Sequence, residues 1–236
     1  MELIQGKNIY EYQLSYEKKK KVLKKLVETL QILHSKEQVP ADLSACREVY
    51  LNKTFYRVDK IRNLLPFANE KYIVVNGKRC RNVFFYKKDI ECLIEQMGCE
   101  KFSFIHGDCT FSNLMLREDE NPVLLDPRGY FGDVRFYGDP RYDWAKLYYS
   151  IVGNYDRFNL KEFRLEIRER DVCLDIVSNH WEDMESSFFK MTGTKPGEIK
   201  LLHALIWLSL TTYAWQDYDS VCGAFYNGLW YLEDIL

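Results

Sequence analysis

The chain has 236 residues, 47% hydrophobic and 29% charged, a balance that excludes a disordered chain and is enough for one sizeable core. Basic and acidic residues nearly cancel, 33 against 35, so nothing suggests a general nucleic-acid binder. Seven cysteines, an odd number with no Cys-x-x-C pair, argue for a reducing compartment and against a zinc site. No signal sequence is visible, and the longest uncharged apolar stretch, residues 201–216, is too short to span a bilayer, so a cytoplasmic, non-membrane protein is expected.

Residues 1–9 read as the end of a strand and a linker. Over 15–35, Val22, Leu23, Leu26, Val27, Leu30 and Leu33 recur at helical spacing behind Ser15, which can cap. The basic run at 18–21 reads as a solvated face of that helix, and His34 as a packing residue. A second helix is predicted over 42–64, with an irregular apolar stripe closed by Pro66. Asn76-Gly77 then marks a hairpin between residues 72–75 and 79–84. Residues 87–97 read as a helix leading into a strand that ends at Ile105. Two apolar runs, 114–116 and 123–125, flank a polar turn containing Asp119, Asn121 and Pro122, and form a second predicted hairpin. Residues 129–138 are loop, and a helix over 139–152 begins at Asp139 or Asp143. A third hairpin is predicted over 163–176, and helices over 178–192, 197–214 and 218–236. With no repeat and no low-complexity tract, the class is α+β and mainly helical, with short β-hairpins.

A hairpin brings its ends together, so Asn113, just before the second hairpin, and Asp126, just after it, should be neighbours. Asp108, across a compact loop from Asn113, can face the same volume. Two carboxylates and an amide oxygen suit a hard divalent ion such as Mg²⁺. The series His106-Gly107-Asp108-x-x-x-x-Asn113, then Asp126-Pro127-Arg128, resembles the catalytic loop and metal-binding Asp of the protein-kinase-like phosphotransferases, in particular their aminoglycoside phosphotransferase and choline kinase branch. Gly at 107 and the lack of a Lys between Asp108 and Asn113 are similar to the small-molecule kinases. The segment 138–147, with Tyr142-Asp143-Trp144-Ala145, looks like that branch's Tyr-Asp-Leu-Ala helix start. The Cys-Thr-Phe-Ser-Asn-Leu and Asp-Pro-Arg-Gly pieces further resemble a bacterial subgroup found among capsular-polysaccharide genes.

The resemblance implies a protein-kinase-like C-terminal lobe with ATP as phosphoryl donor and Mg²⁺ as cofactor. Asp108 would accept or orient the proton of the attacking hydroxyl, and Asn113 and Asp126 would hold Mg²⁺. His106 would pack beneath the metal-binding turn, and Asp143 would cap its helix and anchor the loop backbone. Arg128 would meet a phosphate, or pair with Asp139 or Asp143. Residues 1–10, with Glu2, Leu3 and Ile4, would be the remnant of a hinge that meets adenine, and 11–236 the catalytic and substrate lobe. The N-terminal lobe, with its Gly-rich loop and strand Lys, is then expected to be absent from this chain. The acceptor is expected to be a hydroxyl of a sugar, amino alcohol or related metabolite, held by C-terminal aromatics (Trp207, Tyr213, Trp215, Tyr218, Trp230, Tyr231) with Asp217 and Asp219; core packing is the competing reading of those rings. Two alternatives stand beside the kinase. One is a non-catalytic or split module whose nucleotide lobe comes from a partner chain or an upstream segment. The other is a metal-dependent hydrolase using His106, Asp108 and Asp126.

Overall fold

The computed structural model describes residues 5–215 and 217–236, so the expected adenine contacts at Glu2, Leu3 and Ile4 lie outside the described residues. The fold is mixed α/β, 51% helical and 18% strand. The chain enters as β1 (Gly6–Asn8) and a short turn that buries Ile9 completely. Helix α1 (Tyr16–Ser35) buries Val22, Leu23, Leu26, Val27 and Leu30, as its spacing requires. The solvated reading of its basic run is only partly right. Lys19 is buried, with its ammonium against the Asp183 carboxylate at 2.5 Å and the His180 carbonyl. Lys21 ties the helix to Glu120 at 2.5 Å.

After β2 (Gln38–Pro40), which the sequence pattern did not suggest, Asp42 accepts the Ser44 and Ala45 N–H groups and starts α2 (Leu43–Arg47). The expected single helix over 42–64 is interrupted. Residues 48–52 form a wide turn in which the Lys53 N–H reaches the Glu48 carbonyl, and α3 (Lys53–Ile61) resumes with its face rotated. That rotation is why the apolar stripe looked irregular.

Strands β3 (Tyr72–Val75) and β4 (Lys78–Arg81) form the Asn76-Gly77 hairpin, both turn residues having positive φ. The second strand stops at 81, short of the predicted 84. Buried Asn82 there turns the chain, donating to the carbonyls of Ala68 (3.1 Å) and Glu70 (2.8 Å). Helix α4 (Lys87–Met97) and β5 (Lys101–Phe104) follow, then β6 (Leu114–Arg117) and β7 (Pro122–Leu124), the second hairpin, with Leu114 opposite Leu124. β1 adds to this hairpin as β1-β6-β7. The segment read as loop carries three short strands, β8 (Tyr130–Phe131), β9 (Val134–Arg135) and β10 (Tyr137–Gly138); the last pairs with β5, giving β10-β5-β2.

Helix α5 (Pro140–Ile151) starts at Asp139, whose side chain accepts the Arg141 N–H at 3.0 Å, with Pro140 at the first helical position. Asp143 lies in the first turn and is not the cap. Beyond α6 (Tyr155–Asn159), β11 (Phe163–Ile167) and β12 (Asp171–Ile176) form the third hairpin. β12 runs parallel to β3, with the Asn76 side chain bridging to the Leu174 backbone, so two hairpins make one sheet, β11-β12-β3-β4. Helices α7 (Glu185–Thr192), α8 (Pro196–Leu210) and α9 (Tyr218–Leu232) complete the chain; residues 178–181 are loop, bending at His180, rather than helix. The core lies between α5, α8 and α9, filled by Tyr149, Trp207 and Tyr226, each worth about 2 kcal/mol or more in buried apolar surface. Among the described residues, no helix is long and apolar enough to cross a membrane.

Candidate active site

The loop after β5 is held from below by a single carboxylate. Asp143, fully buried on α5, accepts the N–H of His106 at 2.8 Å and of Gly107 at 2.7 Å, and His34 Nε2 lies 3.0 Å away. Gly107 has φ +81°, and a Cβ there would stand 2.8 Å from the Arg128 side chain, so only glycine fits. His106 is buried and bridges two segments. Its Nδ1 accepts the Asp108 N–H at 3.2 Å, which makes it the neutral tautomer with Nε2–H donating to the Leu125 carbonyl at 2.8 Å. A second buried carboxylate, Asp156, clamps the far end of the loop by accepting the Ser112 N–H at 2.8 Å. Burial pushes the Asp156 carboxyl up, and its Oδ2 has no partner among the described residues.

The polar groups on this frame share one region. Asn113 Nδ2 donates to the Asp108 carbonyl (3.0 Å) and to Asp108 Oδ2 (3.1 Å). Leu125 N–H donates to the Asn113 carbonyl at 2.9 Å, and Arg128 N–H to the His106 carbonyl at 2.8 Å. Asp126 is therefore the apex of a turn pinned on both sides. It is exposed, has φ +51°, and makes no hydrogen bond or ion pair within the described residues. A left-handed residue directly before a proline is unfavourable, and such conformations persist only where neighbours impose them. The residues fit a hard divalent cation: Asn113 commits its NH₂ to Asp108, which leaves Oδ1 without a partner, and Asp126 offers an unpaired carboxylate.

Asp108 has a neighbour that the sequence did not reveal. Lys146 Nζ, on α5 one turn beyond Asp143, lies 2.9 Å from Asp108 Oδ1. Burial pushes the Asp108 carboxyl up, but the Lys146 ammonium, with Arg128 and His106 adding to it, leaves the group below its ordinary value. Arg128 pairs with neither Asp139 nor Asp143. Its guanidinium donates to the Tyr142 hydroxyl at 3.0 Å and sits 5.1 Å from the Tyr130 ring centre. Asp139 is taken by Arg141, in contacts of 2.7 to 3.0 Å.

Asp108, Lys146 and Arg128 line a cleft of about 460 Å³ between α3, α5 and α8, together with Lys53, Arg57 and Lys161. No family model matches this chain, and no curated protein does. The cleft's character differs from the aromatic, acidic acceptor site expected of the C-terminal helices. Trp207 is fully buried, donating to His203 Nε2 at 3.0 Å, and Trp230 is covered by Lys78 at 3.9 Å. Asp217 is paired with Lys161 at 2.6 Å. Of the rings named, Tyr213 lines the cleft, stacked beneath Arg57 at 4.4 Å.

One further group of ligating atoms is present. Cys46, Cys99 and Asp139 bring two thiols and a carboxylate within 4.8 Å of one another, a grouping the sequence reading did not identify. The chemistry there is soft, and the Arg141 guanidinium already satisfies Asp139, so this group does not fit Mg²⁺. All seven cysteines are free.

Proposed function

We propose that this chain is the catalytic lobe of a Mg²⁺-dependent phosphotransferase that moves the γ-phosphate of ATP to a hydroxyl of a small molecule. The observation that carries the reading is the locked loop: Asp143 holds the backbone at His106 and Gly107, His106 ties Asp108 to Leu125, and Asn113 grips Asp108. Phosphoryl transfer needs little from a protein beyond positioning and charge neutralisation, and a small rigid set of oxygens above a buried anchor supplies both. Asn113 and Asp126 would hold Mg²⁺, which neutralises charge on the nucleotide phosphates when bound.

Asp108 orients the acceptor hydroxyl. Its carboxyl is below the ordinary range, which makes it a weak base; its main contribution is to receive a hydrogen bond from the hydroxyl and aim the oxygen. Lys146 keeps that carboxylate ionised and fixed in direction. Mg²⁺-dependent nucleotide binding, measured calorimetrically with and without the metal, tests the proposal. The expected result is binding that disappears in Asp126→Ala while the fold, read by circular dichroism, is unchanged. Retained binding with normal metal dependence refutes the role of Asp126, and with it the reading.

A further inference from the structure

The cleft beside Asp108 holds more positive charge than its own residues neutralise. Two of its five cations are matched, Lys146 by Asp108 at 2.9 Å and Lys161 by Asp217 at 2.6 Å. The other three face no carboxylate at ion-pair distance among the described residues. Arg57 is held by neutral groups only: its guanidinium donates to the Ser209 carbonyl and hydroxyl at 2.8 Å and to the Tyr213 hydroxyl at 3.1 Å. Arg128 is likewise held by the Tyr142 hydroxyl. The ammonium of Lys53, the first residue of α3 after the wide turn, makes no hydrogen bond or ion pair within the described residues.

Like charges gathered in a half-buried cleft raise the free energy of the fold, and they are retained where an incoming group of opposite sign relieves them. We infer that the acceptor is itself an anion: a hydroxylated small molecule carrying a phosphate or carboxylate, bound by Lys53, Arg57 and Arg128 with its free hydroxyl directed at Asp108. The assignment of that anion as acceptor rests on the phosphotransferase reading; the anion site itself rests on the cleft. The electrostatics at Lys53 agree with this. Burial, with Arg128, Arg57 and Lys146 adding to it, lowers its ammonium to about 7, so several positive fields converge at that nitrogen. An amino alcohol, with its own positive charge, is disfavoured in the same place. Arg57 and Arg128 also have their guanidinium planes set by tyrosine hydroxyls before any ligand arrives, which suits planar, two-point recognition of an oxyanion.

Four probes separate the outcomes: inorganic phosphate, glycerol 3-phosphate, glycerol and ethanolamine, titrated calorimetrically into the full chain. The inference expects phosphate and glycerol 3-phosphate to bind in the millimolar range or tighter, and glycerol and ethanolamine not to bind at about 10 mM. Lys53→Met and Arg57→Met are each expected to weaken glycerol 3-phosphate at least tenfold without changing the circular dichroism spectrum. No binding of either anion at about 10 mM, or binding that both variants leave intact, overturns the inference. A competition arm excludes the nucleotide as the source of the signal: glycerol 3-phosphate must still bind when Mg²⁺ and ATP are saturating, and displacement by them assigns the cations to the donor's phosphates and overturns it. If the anions bind and the variants behave as stated while Mg²⁺-dependent ATP binding is absent, the anion site stands and the phosphotransferase reading falls. The two failures are therefore distinct.

Discussion

Asp143→Ala is the most searching perturbation of the loop. The carboxylate is fully buried and accepts two backbone N–H groups, at 2.7 and 2.8 Å, with His34 at 3.0 Å. Removing it leaves both N–H groups buried without an acceptor, at about 1–3 kcal/mol each. Relief from the desolvation of a buried anion offsets part of this, so a net loss of about 3 kcal/mol is expected. For a slope near 2–3 kcal/mol per molar urea, the unfolding midpoint falls by about 1 M. The variant stays folded if the parent has the usual stability of about 5–15 kcal/mol. Amide hydrogen exchange then localises the effect: protection should fall at His106 and Gly107 and persist in α9. A midpoint shift below about 0.3 M, or unchanged protection at both amides, would refute the claim that this carboxylate fixes the loop.

Two other variants test the charge arrangement. In Lys146→Met, Asp108 keeps its burial and loses its main opposing charge, so its carboxyl should rise. Because the folded-state value in the parent lies below the unfolded one, the pair stabilises at neutral pH and that contribution fades as pH falls through the folded value; unfolding free energies of parent and variant, read from urea titrations, should differ by about 1 kcal/mol at neutral pH, given the 38% exposure of Asp108, and converge on acidification. Asp156 has the opposite sign. Its folded carboxyl is raised by burial, so it binds protons more readily than in the unfolded chain and weakens the fold as pH rises from the acid range. Asp156→Asn can retain the Ser112 bond through its amide oxygen and should hold or raise the neutral-pH midpoint, where Asp143→Asn should lower it; a matched loss in both variants would show that Asp156 acts as an anion.

The hairpin elements were legible because each carries its own local chemistry. Asn76-Gly77 can form the turn by itself, and the polar turn at 117–121 separates two apolar runs short enough to be read as strands. The adjacency of Asn113 and Asp126 followed from the second hairpin, and the Leu125–Asn113 bond closes it. The wide turn at 48–52 was not legible, since nothing in Glu48-Val49-Tyr50-Leu51-Asn52 distinguishes it from ordinary helix; the broken stripe was its only trace. Lys146, Lys53 and Arg57 were missed for a different reason. Each is an unremarkable basic residue on a helix, and its role comes from two or three helices meeting. The sequence signal available was weak: Lys146 stands one turn after Asp143, on a helix whose first turn was already tied to the loop, so it had to rise beside Asp108.

That placement bears on how an anion would approach. A bare carboxylate at Asp108 would repel a negatively charged acceptor, at a cost that grows as the cleft is desolvated. With Lys146 at 2.9 Å the pair is nearly neutral at range, and the field an incoming molecule meets is that of Lys53, Arg57 and Arg128. Under the proposed function, only at hydrogen-bond distance would an acceptor hydroxyl meet the Asp108 oxygens, of which Oδ2 is steadied by Asn113 and Oδ1 by Lys146. The same ion pair lowers the basicity of Asp108, so a site built this way gives up proton abstraction in exchange for tolerance of an anionic partner. That exchange suits a transfer in which the hydroxyl's proton leaves late, because charge on the attacking oxygen then develops only after the phosphoryl group is already in flight.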